Sequence, residues 1–205
     1  MIVRSIPSQT KKIFLTFDDG PDAVGTPRVL DILANKKAHA TFFLVAEKLA
    51  AERKLVERIQ REGHALGNHS LDHGYQNFFR SAERIKNWIE QGREKFTDVG
   101  ALDLVGFRPP AGVITPKLIR ALDELNEPLV LWTQRFFDSI IPWNPVCATW
   151  RAKYLPGGSI VLLHDRQSAQ RISGFCSTLG NFIDLLRERG FTLAPLTRDL
   201  CGTRP

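Results

Sequence analysis

The stretch Ile13-Phe-Leu-Thr-Phe-Asp-Asp-Gly-Pro21 joins a short apolar run to an abrupt polar end. The run up to Phe17 is rich in aromatic and branched residues and stops at a Gly-Pro turn, which predicts a buried β-strand. Asp18 and Asp19 follow at its carboxyl end, where their like charges repel and a nearby cation would stabilise both. Adjacent side chains of an extended chain point in different directions, so one carboxylate can bind a metal while the other faces a water molecule. A plain Asp-Gly turn is the alternative interpretation.

Outward from this stretch, apolar runs of strand length alternate with helical patterns. Helix starts are indicated by Thr26-Pro27, Thr115-Pro116 and Asn144-Pro145, which are typical of a cap residue followed by a first-turn proline. The predicted strands are Ile13–Phe17, Thr41–Val45, Ala65–Asn68, Asp103–Phe107, Pro128–Trp132, Ser159–Leu163 and Phe191–Pro195. This alternation predicts an α/β fold with a mostly parallel sheet, either open or closed into a barrel. Both architectures place their chemistry at the carboxyl ends of the strands.

Length and composition favour one domain spanning residues 1–205. Hydrophobic residues make up 43% of the chain and charged residues 24%, as in ordinary globular proteins, and no low-complexity linker divides it. No apolar run is long enough to cross a bilayer, and the first twelve residues carry no stretch of signal-peptide length. We therefore expect a cytoplasmic protein. The three cysteines are far apart and odd in number, which favours reduced thiols.

The net charge of +6 is spread along the chain. No clustered stripe of Lys and Arg of the nucleic-acid-binding kind is present, so no nucleic-acid partner is expected. A basic face could attract anionic lipid head groups or phosphorylated substrates, although a solvated surface explains the charge equally simply. Oligomeric state is left open by these data.

A second candidate site lies in Gly67-Asn-His-Ser-Leu-Asp-His73, after the third predicted strand. His69 and His73 are four residues apart, so on a helical turn they would share one face. That spacing suits two imidazoles on one zinc-like ion. A pair of surface or core histidines is the alternative, and His64, which precedes the strand, is expected to be structural.

Two further strand ends carry residues that can do chemistry. Arg108 precedes two prolines, where its guanidinium could hold a carboxylate in a forked grip and the stiff backbone could present an N–H to an oxyanion. His164 ends an apolar strand and could act as a general acid. A solvated arginine and a core histidine are the alternatives. Taken together, the signals favour a catalytic metal site, because two histidines and one carboxylate leave an open metal position.

These motifs together resemble the polysaccharide deacetylases of carbohydrate esterase family 4, the NodB-homology domain. The resemblance runs from about Lys12 to Pro195, with the motifs in the family's order. The matching segments are Thr16-Phe-Asp-Asp-Gly20, Ala40-Thr-Phe-Phe43, His69-Ser-Leu-Asp-His73, Arg108-Pro-Pro-Ala111 and Leu162-Leu-His164.

The resemblance implies a distorted (β/α) barrel of about seven parallel strands. It also implies a divalent metal, usually zinc with cobalt, nickel and manganese left open, on Asp19, His69 and His73. Asp18 becomes the general base, held by Arg108, and His164 the general acid. The residues expected on the substrate side are Pro110, Ala111, Trp132, Arg135, Asp138 and Leu162, with Leu162 lining the pocket for the acetyl methyl group and the Ala111 N–H helping to bind the oxyanion.

The sequence departs from the family pattern at two motifs. Ala111 stands where the family usually has tyrosine, which removes a side chain from the groove wall. In the fourth motif, Arg135 stands where we expect the carboxylate that pairs with the catalytic histidine, and Ser139 replaces a tryptophan. An arginine near His164 would lower the pKa of that histidine and weaken it as an acid. Asp138 is expected to be the alternative partner.

The implied activity is the hydrolytic removal of an N-acetyl group from a GlcNAc-type oligo- or polysaccharide, or from an intracellular precursor. One alternative is a deacylase or deformylase of a lipid-linked amino sugar, which would involve peripheral contact with a membrane. Aromatic residues that could form an apolar rim for such a carrier, or else belong to the core, are Phe78, Phe79, Phe136, Phe137, Trp143 and Trp150. Another alternative is a carbohydrate-binding protein that has lost catalysis at the fourth motif.

Overall fold

The protein, represented by a computed structural model, is described over residues 1–6 and 11–202. The prediction of one domain over residues 1–205 includes seven positions outside these ranges, 7–10 and 203–205, and it stays a prediction. Among the described residues, no helix has the length and apolar character needed to cross a membrane.

A curled, parallel sheet forms the centre of the molecule. Its strands, in chain order, are β1 Ile2–Val3, β2 Lys12–Asp18, β3 Thr41–Leu44, β4 Ala65–Asn68, β5 Leu104–Phe107, β6 Leu129–Val130, β7 Gln134–Arg135, β8 Ile160–His164 and β9 Thr192–Leu193. They pair in the order β1-β6-β5-β4-β3-β2-β8-β7, and β9 pairs with the start of β2. All these pairs are parallel. The predicted distorted barrel is confirmed, and each of the seven predicted strands overlaps an observed one.

Helices cover the outside of the sheet. They are α1 Gly25–Asn35, α2 Arg53–Arg61, α3 Ala82–Asp98, α4 Pro116–Glu124, α5 Pro145–Tyr154, α6 Ile172–Glu188 and α7 Arg198–Gly202, with 3-10 turns at Ala46–Lys48, Tyr75–Phe79 and Pro110–Gly112. Two predicted caps are confirmed, because the side chain of Thr115 accepts from Leu118 N and that of Asn144 accepts from Val146 N and Cys147 N. The predicted cap at Thr26 is wrong, since this residue lies inside α1.

The two faces of β2 explain how the barrel is filled. Ile13, Leu15 and Phe17 point outward into the main hydrophobic cluster, which includes residues of α1 and α6. Phe14 belongs instead to the cluster inside the barrel, together with Phe43 of β3. Because side chains alternate along a strand, Thr16 and Asp18 lie on the inner face with Phe14. The interior of the barrel therefore contains buried polar side chains, Thr16 and Asp18, next to the apolar cluster that includes Phe14 and Phe43.

Candidate active site

Asp19 occupies a sharp turn directly after β2. Its backbone has a φ of 74°, in the left-handed region that is strained for a residue with a side chain. Lys48 Nζ donates to the Asp19 carbonyl oxygen at 2.6 Å and helps to hold this turn. Gly20 follows, and a Cβ at this position would lie 2.4 Å from Asp165 Oδ2, so any other residue would displace the Asp165 carboxylate. The turn separates the two carboxylates, with Asp18 left on the strand and Asp19 beyond it.

Asp19, His69 and His73 come together as the sequence predicts. Asp19 Oδ1 lies 3.4 Å from His69 Nε2 and 3.2 Å from His73 Nε2, and the three ligand atoms all lie within 4.8 Å of one another. A tetrahedral ion with bonds of roughly 2.0–2.1 Å would separate its ligands by about 3.3 Å, so this donor set fits a zinc-like cation. Burial raises the pKa of Asp19, but hydrogen bonds from His69 and His73 outweigh it and hold that pKa well below the usual range.

The backbone around the histidines differs from the expected helical turn. Ser70 and His73 both have positive φ, 77° and 59°, so the loop is irregular. It is held by the Asn68 side chain, which accepts from Ser70 N at 2.8 Å, and by Ser70 Oγ, which accepts from His73 N at 3.0 Å. The two imidazoles therefore meet through loop geometry, and their four-residue spacing on a helix face is not the reason.

His69 is oriented through its second ring nitrogen. His69 Nδ1 lies 2.8 Å from the backbone oxygen of Arg108, which accepts a hydrogen bond from it in the Nδ1–H tautomer. With a cation bound, Nε2 would be the unprotonated atom that faces it beside Asp19. A hydrogen bond to the second nitrogen of this kind is the usual way in which proteins orient a histidine ligand.

Asp18 and Arg108 form an ion pair inside the barrel. Arg108 is fully buried and its Nη1 donates to Asp18 Oδ1 at 2.7 Å and to Thr16 Oγ1 at 2.8 Å. Its Nε and Nη2 donate to the backbone oxygens of Val130 and Leu131. The predicted grip on a carboxylate exists, but it is a single contact and not a fork, because the other donors are used by the barrel backbone. Asp18 Oδ2 stays 3.8 Å from His69 Nε2 and faces the three-residue cluster.

His164 lies beside Asp18, because β2 and β8 pair with these two residues as partners. Its Nδ1 is 3.1 Å from Asp138 Oδ1, and its backbone N–H donates to Asp138 Oδ2 at 2.7 Å. Burial lowers the pKa of His164, but the hydrogen bond and charge of Asp138, with the charges of Asp18 and Asp19, raise it to about 9. The imidazole is therefore held protonated, with Nε2 free of Asp138.

Arg135 makes no recorded contact with His164 among the described residues, which corrects the expectation for the fourth motif. It lies on β7, is exposed, and its guanidinium stacks over the Phe137 ring at 4.0 Å. The chain then turns at Phe137, which has a φ of 58°, and this turn brings the buried Asp138 to the imidazole. The predicted lowering of the His164 pKa by Arg135 is wrong, and Asp138 is the partner.

The remaining substrate-side residues surround this centre unequally. Ala111 is exposed and has a φ of 53°, whereas Pro110 and Leu162 are buried. The ring of Trp132 packs so closely on Gly112 that a Cβ there would approach it to 2.6 Å. Ser139 is exposed at the position where the pattern predicts tryptophan.

Asp165 is a site residue that the sequence argument missed. It is fully buried next to His164, its Oδ2 accepts the hydroxyl proton of Thr26, and its Oδ1 has no hydrogen-bond partner among the described residues. Burial raises its pKa to about 7 against the opposing effect of the Thr26 bond. The sequence signal that could have identified it is an acid directly after the histidine of Leu162-Leu-His-Asp165.

Comparisons with known proteins agree with this geometry. A family model described as polysaccharide deacetylase matches residues 5–129. A peptidoglycan-N-acetylglucosamine deacetylase of Bacillus cereus is 34% identical over 188 residues, which cover 91% of this chain and 86% of that protein. The solved Bc1960 peptidoglycan N-acetylglucosamine deacetylase superposes with a TM-score of 0.80 at 31% identity, covering 95% of this chain and 90% of its own.

A carbohydrate esterase family 4 pseudoenzyme from Bacillus anthracis superposes with a TM-score of 0.82 at 23% identity, covering all of this chain and 70% of its own. At that identity the likeness concerns the fold alone, so activity has to be argued from the site residues. The family itself is established by the matched model and by the Bacillus cereus relative, and this chain belongs to the polysaccharide deacetylase family.

Proposed function

We propose that this protein is a metal-dependent hydrolase that removes the N-acetyl group from a GlcNAc-type sugar. One observation carries the proposal: Asp19, His69 and His73 cluster next to Asp18, and three such ligands leave the fourth position of a tetrahedral ion for water or substrate. His164, the neighbour of Asp18 across the sheet, is paired with Asp138. The named activity of the Bacillus cereus relative supports the substrate class.

The residues divide the reaction between them. A divalent cation on Asp19, His69 and His73 would supply Lewis acidity, lowering the pKa of a water molecule and polarising the acetamide carbonyl. Asp18 accepts the proton of the attacking water on Oδ2, while Arg108 holds Oδ1. The Ala111 N–H is proposed to bind the developing oxyanion. His164 gives its Nε2 proton to the leaving amine, and Asp138 stabilises the imidazolium beforehand.

Two alternatives remain from the sequence. A binding protein without catalysis would not need the pairing of His164 with a buried carboxylate, so the observed Asp138 contact counts against it. A deacylase of a lipid-linked amino sugar would use the same residues and differ only in its substrate. The predicted cytoplasmic location is compatible with such a precursor and stays a prediction.

The test is acetate release from N-acetylated chitooligosaccharides, with and without a chelator. We expect release that is lost on chelation and restored by zinc. Asp18→Asn should keep stoichiometric zinc but lose activity by about two to four orders of magnitude, as expected for a general base. His69→Ala should lose the zinc itself, measured by elemental analysis.

These outcomes separate the parts of the proposal. Zinc retained by His69→Ala would remove His69 from the ligand set. Full turnover by Asp18→Asn would show that another group acts as base. Zinc binding without acetate from any N-acetylated amino sugar would favour the binding protein.

A further inference from the structure

The outer face of α5 and the turn before it expose an unusual number of apolar side chains. Ile140 and Ile141 in the turn are 69% and 55% exposed. On the helix, Val146, Trp150 and Tyr154 are 77%, 54% and 60% exposed. These five residues are called the α5 surface below. The helix also has a buried side, formed by Ala148 and Ala152, so the exposed residues are not needed to attach it to the core.

The helical part of the α5 surface forms one stripe. Val146, Trp150 and Tyr154 are spaced four residues apart, which places them on the same side of the helix over about 12 Å. The rings of Trp150 and Tyr154 touch, with centroids 5.3 Å apart. Ile140 and Ile141 lie at the amino end of this stripe, two and three residues after Asp138, which binds His164. The stripe therefore begins at the rim of the candidate active site.

The chain segment that carries the α5 surface has only positive charges on its exposed residues. From Ser139 to His164 the sequence contains Arg151 and Lys153 but no Asp or Glu. The Arg151 guanidinium lies 5.0 Å from the Trp150 ring and Lys153 Nζ lies 5.6 Å from the Tyr154 ring. In the part of the chain that the structure describes, neither cation forms an ion pair. The next acid, Asp165, is fully buried and contributes nothing to this face.

Two more arginines extend the positive charge to both ends of the stripe. Arg171 Nη1 donates to the Ile140 carbonyl oxygen at 3.0 Å, at the end near the active site. Arg189 Nη1 donates to the Leu155 carbonyl oxygen at 2.9 Å, at the opposite end. Cations thus accompany the apolar residues along the whole length of the α5 surface.

We propose that the α5 surface binds peripherally to a bilayer rich in anionic lipid. Exposed aliphatic side chains gain free energy in the acyl region, Trp and Tyr favour the interface, and Arg and Lys favour anionic head groups. A second copy of this chain fits less well, because pairing two such faces would bring their cations together. Binding in this orientation would hold the rim at Ile140 against the bilayer. The proposal does not depend on the reaction that the site catalyses.

The experiment is co-sedimentation of the full chain with vesicles, followed also by Trp fluorescence. We expect binding to equimolar phosphatidylglycerol and phosphatidylcholine, weak binding to phosphatidylcholine alone, and weakening by salt. Trp150→Ser should reduce partitioning by about tenfold or more, from the apolar area that it no longer buries. The double variant Arg151→Gln, Lys153→Gln should reduce it by about 25-fold, since each cation near an anionic surface contributes about fivefold.

Matched variants on other surfaces serve as controls. Leu102→Ser removes a side chain that is 72% exposed, and Lys117→Gln with Arg120→Gln changes the net charge by the same amount on α4. Both should bind vesicles like the wild type. The proposal would be overturned if the control variants lost as much vesicle binding as the α5 variants. It would also be overturned if the wild type bound phosphatidylcholine vesicles as well as vesicles that contain phosphatidylglycerol. The proposal would also be overturned if the wild type bound no vesicles but formed dimers in sedimentation velocity, and Trp150→Ser dissociated those dimers. That result would assign the α5 surface to contact with a second copy of the chain.

Discussion

Asp138 and His164 meet because one turn with an unusual backbone carries the chain from β7 back over the end of β8. Phe137 takes the left-handed conformation there, and the side chain three residues after Arg135 enters the site. The sequence predicted that a carboxylate should pair with this histidine and named Asp138 as the alternative. It could not choose the position, because a strand pattern says nothing about a positive φ at a phenylalanine.

The pairing makes a prediction for the pH dependence of catalysis. His164 has its pKa raised to about 9 and can donate a proton only below that pKa, so activity should fall as pH rises through it. A bound cation would move this limb lower, since it repels the imidazolium. Asp138→Asn removes the main stabilising partner and should shift the basic limb of the kcat/KM profile to lower pH by roughly one to two units.

Arg135→Gln is the matched control, because this residue lies in the same motif but faces solvent over Phe137. Its pH profile should overlay that of the wild type. A basic limb that moves in Arg135→Gln and stays in place in Asp138→Asn would reverse the assignment of the two residues.

A helix or strand can be predicted from sequence where the residues next to it are enough to define it. The caps at Thr115 and Asn144 are read correctly, because a cap depends only on the residues next to it. The predicted cap at Thr26 is wrong, since the Thr26 hydroxyl donates to Asp165, which is far along the chain. The two-residue strands β1 and β7 also escape prediction, because pairing with a neighbour defines them and their own pattern is too short.

The cap of α5 allows a measurement of stability. Asn144→Ala leaves the N–H groups of Val146 and Cys147 without their side-chain acceptor, and should lower the free energy of unfolding by about 1 kcal/mol. Urea unfolding followed by circular dichroism measures this. Thr149→Ala, inside the same helix, should cause no loss, because alanine favours a helix. An equal loss in both variants would show that the cap is not the cause.

At the scale of the whole molecule, the end of the barrel opposite the active site contains a buried histidine. His64 is 7% exposed, accepts from Ala40 N at 3.2 Å, and its Nε2 has no hydrogen-bond partner among the described residues. Burial lowers its pKa to about 4. The expectation that His64 is structural agrees with this position, although the sequence could not show that its ring packs against His39 and Phe42.

This histidine should make the fold sensitive to acid. Between pH 6.5 and 4 the unfolded chain protonates His64 and the folded protein does not, so stability falls as pH is lowered through this window. The full effect is about 3 kcal/mol, from the shift of pKa to about 4. His64→Gln should be less stable than wild type at pH 7.5 and should lose less on transfer to pH 4.5, by urea unfolding. An equal loss in both proteins would contradict the buried neutral state.

The guanidinium of Arg108 has a consequence for how activity can be lost in such a fold. It ties β2, β5 and the β6 region together from inside the barrel, and it also holds the base Asp18. Removing it would leave a buried carboxylate unpaired, at a cost of several kcal/mol. A descendant chain that no longer turned over substrate would still be under pressure to keep this arginine in order to fold. The presence of this arginine in a related chain therefore indicates an intact fold and does not indicate activity. Loss of catalysis would be seen first at the partly exposed His73 and at the turn from Phe137 to Asp138.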